Sequence, residues 1–417
     1  ALAAVGASGP LFNLMLVLFM GISTGTGIAV SQYFGAKQKG LLSKAVGNAI
    51  SLTIISSIFI MVVGTIITPR VLRILNTPEE ILQMARQYLT IIFLGIAGMS
   101  FYNIMSGILR GLGDSVSPLM FLLVACVLNI VLDIYFVASL NLGVPGVAYA
   151  TVISQVVSAI ACMIKAYRMK DVLTLNMKSL VIDPRVTGKI LRFGLPSGLT
   201  QGIFSMAMIV VQSLTNSLGT VVIATNVVVM RVDGFAMMPN FTFGIAMTTY
   251  AGQNVGAGYF DRVKKGTKDG LLLAVSVSAF MTLCILLFGV NLMHLFTQTE
   301  RVVELGVHAM RILAVGYIAM AVTQVLSGTM RGAGDTMTPM WISIVTTILI
   351  RVPLAYTLAF FTRSEEWPNG SPYALFVSLL TAWSMGAIIT SLFFKKGKWR
   401  KLAEKSYKDA GNFVPNE

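Results

Sequence analysis

Long apolar runs, separated by short polar connections, make up almost the whole chain. A run of about 20 apolar residues is the length that an α-helix needs to cross the ~30 Å hydrocarbon core of a bilayer. The pattern therefore predicts an all-α integral membrane protein with eleven spanning helices. These helices are expected near residues 9–33, 46–68, 84–109, 116–138, 144–164, 194–217, 222–252, 269–289, 305–330, 337–361 and 373–394.

The composition supports the same class of protein. Hydrophobic residues make up 55% of the 417 positions and charged residues only 12%, with a mean hydropathy of +0.79. About a quarter of the residues of a typical soluble domain are charged. A soluble fold is therefore excluded as the main interpretation.

The net charge of +14 would suggest a nucleic-acid partner in a soluble protein, but the positions of the basic residues indicate topology instead. Most of the 31 Lys and Arg residues lie in alternate connections between the predicted helices. By the positive-inside rule these connections and the carboxyl terminus are cytoplasmic, and no nucleic-acid partner is predicted. The basic stretches are residues 34–45, 110–115, 165–192, 261–268, 331–335 and 395–408.

One polar stretch occurs twice. SGILRGLGDSVSP at 106–118 returns as SGTMRGAGDTMTP at 327–339, an offset of 221 residues, and the same offset relates Gln32 to Gln253. An even number of crossings separates the copies, and both lie on the basic side. The two halves are therefore predicted to be parallel repeats related by an axis along the membrane normal.

Each repeat is expected to form one six-helix bundle, which gives a natural count of twelve helices. The segment that opens the second half has no partner at the 221-residue offset, so the first helix is expected to be missing from this chain. The predicted domains are an amino-terminal bundle with five of its six helices, a cytoplasmic linker, a carboxy-terminal six-helix bundle and a basic cytoplasmic tail. Their bounds are 1–168, 169–188, 189–394 and 395–417.

The repeated corner contains residues that each have a structural use. Glycines four residues apart let two helix backbones approach closely in lipid, and a glycine after the last turn can end a helix. Arg110 and Arg331 fall in a last helical turn, and Asp114 and Asp335 can cap the next helix. A stable cytoplasmic corner is one interpretation. The other is a cytoplasmic gate in which the Arg and Asp residues exchange partners.

Asn129 and Asp133 are the candidate site for a coupling ion. They lie four residues apart, hence on one helix face, inside a predicted span. A charge placed there costs at least ~2.5 kcal/mol on insertion scales, which makes each such residue a functional hypothesis. The amide can hydrogen-bond the carboxylate or share a bound cation with it. The alternative is a carboxylate that neighbouring donors simply satisfy.

Three more charges lie inside predicted spans and are candidates for a substrate cavity. Arg231 and Asp233 are two residues apart and so face different sides of their helix. Arg351 precedes Pro353, so it can equally serve carbonyls that a proline kink frees. Met237 adds an adaptable apolar surface, although core packing is the alternative for a methionine.

Pro196 and Pro239 lie inside predicted spans, where proline bends a helix, and they are candidate hinges.

The chain contains no HExxH, GxSxG or Walker sequence. Its three Cys and two His residues are scattered, without the spacing of metal ligands. The chain is therefore predicted to be a protein that is not an enzyme and that holds no metal or other cofactor.

Several motifs, in order along the chain, show a family likeness. They are ALAAVGAS at 1–8, Arg-Gly-x-Gly-Asp from 110 and from 331, NIVLD at 129–133, GLPSG at 194–198 and QNVGAG at 253–258. With these motifs the chain resembles the multidrug and toxic compound extrusion (MATE) transporters over essentially its whole length.

This resemblance implies two six-helix bundles around a central cavity, with export of organic cations coupled to inward H⁺ or Na⁺. In members of the family an Asp of the first helix works with a cluster on later helices, and that Asp has no counterpart here. The matching positions in this chain are Asn103, Asn129, Asp133 and Thr151.

Some members also carry a carboxylate on the seventh helix. This chain has Gln201 there and no acid between 194 and 217, so such a second ion site is not expected, and Gln201 is a cavity candidate.

We therefore expect a bacterial-type secondary antiporter that acts as a monomer in the plasma (inner) membrane, by rocking of its bundles around a midplane cavity. Its partners would be small organic cations, membrane lipid and the coupling ion, H⁺ or Na⁺. The alternative is a flippase for lipid-linked precursors or polysaccharides on a related fold. A flippase would need a markedly cationic cavity, whereas the intramembrane charges here balance at two acids and two bases.

Overall fold

The computed structural model describes residues 2–74, 79–173 and 177–409, which are nearly all helical. The helices are α1 (Leu2–Gly35), α2 (Lys39–Ile74), α3 (Glu79–Leu94), α4 (Ile96–Gly111), α5 (Val116–Ile134), α6 (Gly143–Arg168), α7 (Pro184–Ser217), α8 (Thr220–Gly256), α9 (Phe260–His294), α10 (Glu300–Gly332), α11 (Met337–Ser343), α12 (Val352–Phe361), α13 (Tyr373–Lys395) and α14 (Lys398–Asp409). A short 3-10 turn, Met177–Leu180, lies between α6 and α7.

The predicted all-α membrane fold is confirmed. Within the described ranges, nine helices are long and apolar enough to cross a membrane, or ten if the bent pair α3 and α4 counts as one span. Each predicted span coincides with one helix or with one interrupted helix. The helices extend past most predicted ends, because their last turns continue through polar residues beyond the apolar run.

Three spans are interrupted. α3 and α4 meet at Gly95 with a bend of 49°. A π-helical segment, Tyr135–Ser139, ends the α5 span, and a second one, Ile344–Arg351, joins α11 to α12. The second ends two residues before Pro353, which has no N–H to donate to the preceding turn, and local π adjustments in membrane helices can satisfy the backbone groups that a proline frees. Pro196 and Pro239 instead lie inside continuous helices, α7 and α8.

The chain divides into two compact units, residues 1–198 and 199–417. The boundary falls inside α7, so the first half of that helix packs within unit 1. There Gly21 of α1 lies so close to Gly194 and Gly198 that a Cβ on Gly21 would be 2.8 Å from the Gly198 Cα atom. Residues 189–198, at which the second bundle is predicted to begin, lie in this first half of α7. The predicted domain bounds stay predictions.

In unit 1, α4 is the central helix and packs against α1, α2 and α6, while α3 and α5 also pack on α6. Part of the linker between α6 and α7 is held on α2. The Asn48 carboxamide oxygen accepts bonds from the Asp183 backbone N–H at 2.7 Å and the Thr187 hydroxyl at 2.8 Å. Ser51 donates to the Leu180 carbonyl at 2.6 Å. The linker is therefore fixed by polar contacts to a spanning helix.

In unit 2, α10 takes the central place and packs against α8, α9 and α13. Tyr317 of α10 is fully buried in the largest apolar cluster of the unit, and its ring lies 6.0 Å from the ring of Trp383 on α13. A smaller cluster at the basic end brings α14 against α8, α9 and α10. The basic tail predicted from residue 395 is therefore partly a docked helix.

The repeated corners have the same backbone geometry. Gly113 and Gly334 both adopt φ +95°, and each following aspartate N–H bonds back to the carbonyl five residues earlier at 2.9 Å. This arrangement is the Schellman motif, which ends a helix at a left-handed glycine. Asp114 and Asp335 then each accept a bond from the backbone N–H three residues on, at 2.9 and 3.0 Å. The predicted helix ends and caps are confirmed.

The glycine pairs of the repeat pack as their spacing predicted. A Cβ at Gly107 would lie 2.8 Å from the Ser23 carbonyl oxygen of α1, and one at Gly111 would lie 2.8 Å from the carbonyl oxygen of Gly27. In unit 2 the equivalent helices, α8 and α10, meet in the same way, with Gly328 against Gly244. The 221-residue repeat is therefore a repeat of helix packing.

Candidate functional site

Asn129 and Asp133 lie on the face of α5 that packs within unit 1. Pro118 and Ala125 are the buried residues of α5, and the spacing from Pro118 to Ala125, Asn129 and Asp133 keeps all four on one stripe. The other face is exposed and apolar, as expected of a helix in contact with lipid. α5 packs mainly on α6 and touches α4.

This pair is unusual because its polar atoms lack partners. Among the residues that the structure describes, the Asn129 Nδ2 and Asp133 Oδ1 atoms are shielded from solvent and form no hydrogen bond. The amide therefore does not bond the carboxylate, although the spacing allows it. An unsatisfied buried polar group costs about 1–3 kcal/mol, so a bound species that satisfies both groups would be stabilised here.

Asn103 and Thr151 lie on α4 and α6, the two helices that pack on α5. Each of these side chains donates a hydrogen bond to a carbonyl one turn earlier in its own helix. Asn103 Nδ2 donates to the Met99 carbonyl at 2.8 Å, and the Thr151 hydroxyl donates to Val147 at 3.0 Å. The Asn103 carbonyl also accepts a bond from Ser23 at 2.6 Å, which ties it to α1. Their part in an ion site stays a prediction.

The sequence did not indicate Tyr88. This tyrosine of α3 is buried, with 8% of its surface exposed, and lies within electrostatic range of the Asp133 carboxyl. Its only sequence signal is a phenol inside an apolar span. A phenol hydroxyl is a hydrogen-bond donor, so Tyr88 belongs to the surroundings of the candidate site.

A second polar cluster lies in unit 2. The Tyr317 hydroxyl of α10 donates to the Asp233 carboxylate of α8. Arg351, at the end of the π segment, lies within electrostatic range of Asp233, but the two side chains form no ion pair within 4.0 Å among the described residues. The Arg351 Nε atom is shielded and has no hydrogen-bond partner in the described part of the chain.

Asn240 connects this cluster to α9. Its Nδ2 donates to the Tyr317 carbonyl at 3.1 Å, and its Oδ1 accepts the Ser278 hydroxyl at 2.7 Å. Asn240 is fully buried. A buried amide with both ends bonded fixes the relative positions of three helices, α8, α9 and α10, around Asp233.

The other cavity candidates do not join this cluster. Arg231 is exposed and its guanidinium lies 5.8 Å from the centre of the Phe296 ring, on a side of α8 other than that of Asp233. Met237 is buried in the apolar core of unit 2. Gln201 is exposed, and its backbone carbonyl accepts the Ser205 hydroxyl at 3.1 Å. Their contact with a substrate stays a prediction.

The two repeated corners differ in the surroundings of their acids. Lys165 lies 3.5 Å from Asp114, and the Ser117 hydroxyl donates to the same carboxylate at 2.7 Å. Burial acts to raise the pKa of Asp114, but the Ser117 hydrogen bonds and the Lys165 ammonium together hold that pKa below its usual value. Asp335 is 2% exposed, and its Oδ2 atom has no partner within the described ranges.

The corner arginines are not paired with these acids. Arg110 donates to the Ser106 hydroxyl one turn earlier in α4. In the part of the chain that the structure describes, neither Arg110 nor Arg331 forms an ion pair. The helix-ending role of the corner is thus established by its geometry, and exchange of partners between Arg and Asp stays a prediction.

Comparison with known proteins gives consistent matches. A family model described as MatE matches residues 1–135 and 196–357. The chain is 31% identical over 390 residues to "Probable multidrug resistance protein YoeA" of Bacillus subtilis strain 168, across 91% of this chain and 84% of that protein. It is 24% identical over 417 residues to "Probable multidrug resistance protein NorM" of Thermotoga maritima, across 97% and 86% of the two chains.

Solved structures share the fold. "Crystal structure of MATE in the bent conformation" superposes with a TM-score of 0.90 at 24% identity, covering 97% of this chain and 89% of that one. "Outward-facing conformation of a multidrug resistance MATE family transporter of the MOP superfamily" gives 0.89 at 24% identity, with 96% and 88% coverage.

Proposed function

The chain belongs to the MATE family of multidrug efflux transporters, and from this premise we propose that it exports small organic cations in exchange for H⁺ or Na⁺. The family consists of membrane transporters and not enzymes, as the sequence predicted. The chain is accordingly a multi-pass integral membrane protein. The exported substrate and the exchanged ion are the parts that we propose.

The observation that supports ion exchange is the unsatisfied pair on α5. Among the described residues the Asp133 Oδ1 atom is shielded and has no partner, at a cost that a bound proton or metal cation would offset, and the amide of Asn129 lies one turn away. The Asn129 amide can present its oxygen or its NH₂ group, and the Asp133 oxygen can take a proton or a metal cation. We infer that Asp133 takes up and releases the coupling ion.

The remaining parts of the proposal concern topology. The basic connections and the tail would face the cytoplasm, because Lys and Arg accumulate on that side. The protein would act as a monomer in the plasma (inner) membrane.

Asn103 and Thr151 would shape the ion site. Aromatic and methionine side chains, together with the charged candidates Arg231, Asp233 and Arg351, would receive the substrate.

Ethidium efflux from proteoliposomes tests the proposal. Wild type, Asp133→Asn and the matched variant Asp269→Asn, at an exposed acid on α9, would be compared under separately imposed H⁺ and Na⁺ gradients. We expect wild type and Asp269→Asn to transport under one gradient, which identifies the ion, and Asp133→Asn to lose coupled transport.

Two results would contradict the proposal. Equal transport by all three proteins would make Asp133 a structural residue. No transport of any cation in a broad panel, by folded and inserted wild type, would reject the antiporter and favour the flippase, which a fluorescent lipid-diphosphate translocation assay would then detect.

A further inference from the structure

The helix α14 begins almost immediately after the last span. α13 ends at Lys395 and α14 starts at Lys398, with only Lys396 and Gly397 between them. Gly397 adopts φ +72°, a left-handed conformation in which glycine turns the chain without strain. A helix that starts two residues after a spanning helix begins at the level of the lipid headgroups. Its twelve residues extend about 18 Å from that point.

The apolar face of α14 is already covered by unit 2. Trp399 is 5% exposed and Ala403 is fully buried. The Trp399 Nε1–H donates to the Phe394 carbonyl at 3.1 Å, and the two rings stack with centres 5.1 Å apart. Tyr407 meets the Phe260 ring of α9 edge-on at 6.0 Å. The residues of the core that α14 completes are Ala251, Val255, Val263, Met330 and Ala333.

Because these contacts occupy the apolar face, α14 is not a helix that inserts that face into lipid. Its outer face carries exposed Lys and Arg residues, and α9 begins with four more beside the Phe260–Tyr407 contact, together with the exposed acids Asp261 and Asp269. Two acidic residues, Glu404 and Asp409, lie in α14, and Glu404 is paired with Arg400 at 3.5 Å. The basic surface consists of Lys395, Lys396, Lys398, Arg400, Lys401, Lys405 and Lys408, with Arg262, Lys264, Lys265 and Lys268 of α9.

We propose that this basic surface binds the anionic phospholipid headgroups of the bilayer. Charge complementarity supports it, since clusters of four to eight Lys or Arg residues beside a span, or on an amphipathic helix, attract acidic lipids. The position supports a lipid rather than a soluble anion. The charges are spread along a helix that begins at headgroup level, as many weak contacts with a charged plane require.

The docking of α14 gives this binding a structural consequence. Met330 and Ala333, which α14 covers, belong to the second repeated corner, SGTMRGAGDTMTP. Headgroups bound to α14 therefore hold the helix that packs on that corner. The bilayer charge thus stabilises the basic end of unit 2.

Lipid retention by the purified protein tests the inference without any use of transport, so its outcome is separate from that of the proposed function. Protein in mild detergent would be titrated with mixed micelles of phosphatidylglycerol or of phosphatidylcholine, and bound lipid counted by native mass spectrometry. We expect wild type to retain phosphatidylglycerol preferentially, with retention falling as salt screens the charges. The triple variant Lys401→Gln, Lys405→Gln, Lys408→Gln should bind it roughly fivefold more weakly per charge removed.

The control is a second triple variant, Lys39→Gln, Arg168→Gln, Lys178→Gln, which removes three exposed charges from unit 1. It should retain wild-type binding, as should Lys→Arg changes at 401, 405 and 408. Equal loss in both glutamine triples, or equal retention of the two lipids, would overturn the proposal. Displacement of phosphatidylglycerol by low millimolar inorganic phosphate would also overturn it, because that result indicates a site for a soluble anion.

Discussion

Alanine at Gly328 should destabilise the protein relative to alanine at Gly234. Both glycines lie inside spanning helices, α10 and α8. A Cβ at Gly328 would fall against the backbone of Gly244, within 3.1 Å of its Cα atom and closer to its carbonyl group, whereas a Cβ at Gly234 meets nothing within 4 Å. Backbone cannot rotate away as a flexible side chain can, so α8 and α10 must separate to admit the methyl group.

The magnitude follows from two opposing terms. Alanine in a helix interior is favoured over glycine by about 0.5–1 kcal/mol at either position. Overpacking of a closely fitted contact costs about 1–3 kcal/mol and applies only at Gly328. The gain in helix propensity cancels between the variants, so Gly328→Ala should be less stable than Gly234→Ala by about 1–3 kcal/mol.

Reversible unfolding in mixed micelles of SDS and a mild detergent, followed by tryptophan fluorescence, measures this difference. The repeat supplies an independent second pair in unit 1. A Cβ at Gly107 would lie 2.8 Å from the Ser23 carbonyl oxygen, and one at Gly188 meets nothing within 4 Å. Gly107→Ala should therefore be less stable than Gly188→Ala. If Gly328→Ala proves as stable as Gly234→Ala, close backbone approach does not hold α10 against α8, and the reasoning fails.

Three further predictions concern the polar contacts. Asp114→Asn should lower stability at neutral pH, and its difference from wild type should start to shrink as the pH falls through about 4, the pKa of an unfolded aspartate. The folded carboxyl has a lowered pKa, so its stabilising charge is lost progressively until the pH is below that folded value. A difference in thermal unfolding that is as large at pH 2 as at pH 7 contradicts this. Tyr317→Phe removes the donor to Asp233 and should cost about 1–3 kcal/mol in the same unfolding assay, and no loss would show that the bond is not formed. Asn240→Leu removes the amide that bonds both the Tyr317 carbonyl and the Ser278 hydroxyl, and should likewise destabilise by about 1–3 kcal/mol. Ser278→Ala leaves only the Asn240 Oδ1 acceptor unpaired and should cost less.

Hydrophobic runs predicted the spans because each run is as long as the bilayer is thick. The same signal could not predict the bend at Gly95, since apolar residues continue on both sides of it. The Val152 side chain of α6 lies directly against Gly95 in the folded unit. The close approach at the bend therefore involves another helix, and local sequence does not show that contact.

Spacing placed Asn129 and Asp133 on one helix face because that relation is local. It could not relate Tyr317 to Asp233, which lie 84 residues apart and meet only because α8 packs on α10. Tyr88 and Asn240 escaped notice for the same reason. A buried phenol or amide inside an apolar run is a signal that a partner exists, but only packing identifies the partner.

The repeat extends to the packing of the chain but not to its intramembrane charges. At the 221-residue offset the glycine contacts, helix ends and caps recur. None of the four intramembrane charges does, because the offset relates Asp133 to Leu354, Asp233 to Phe12, Arg351 to Ile130 and Arg231 to Pro10. The neighbours of the corner acids differ as well, because Lys165, which pairs with Asp114, corresponds to Gly386 at this offset. Helix packing must recur for each half to fold, whereas an ion site is needed only once. The Asn129–Asp133 pair of α5 and the Asp233 cluster therefore each occur in one half only. A mutation in either should change transport, whereas a mutation at the equivalent position of the other half should not.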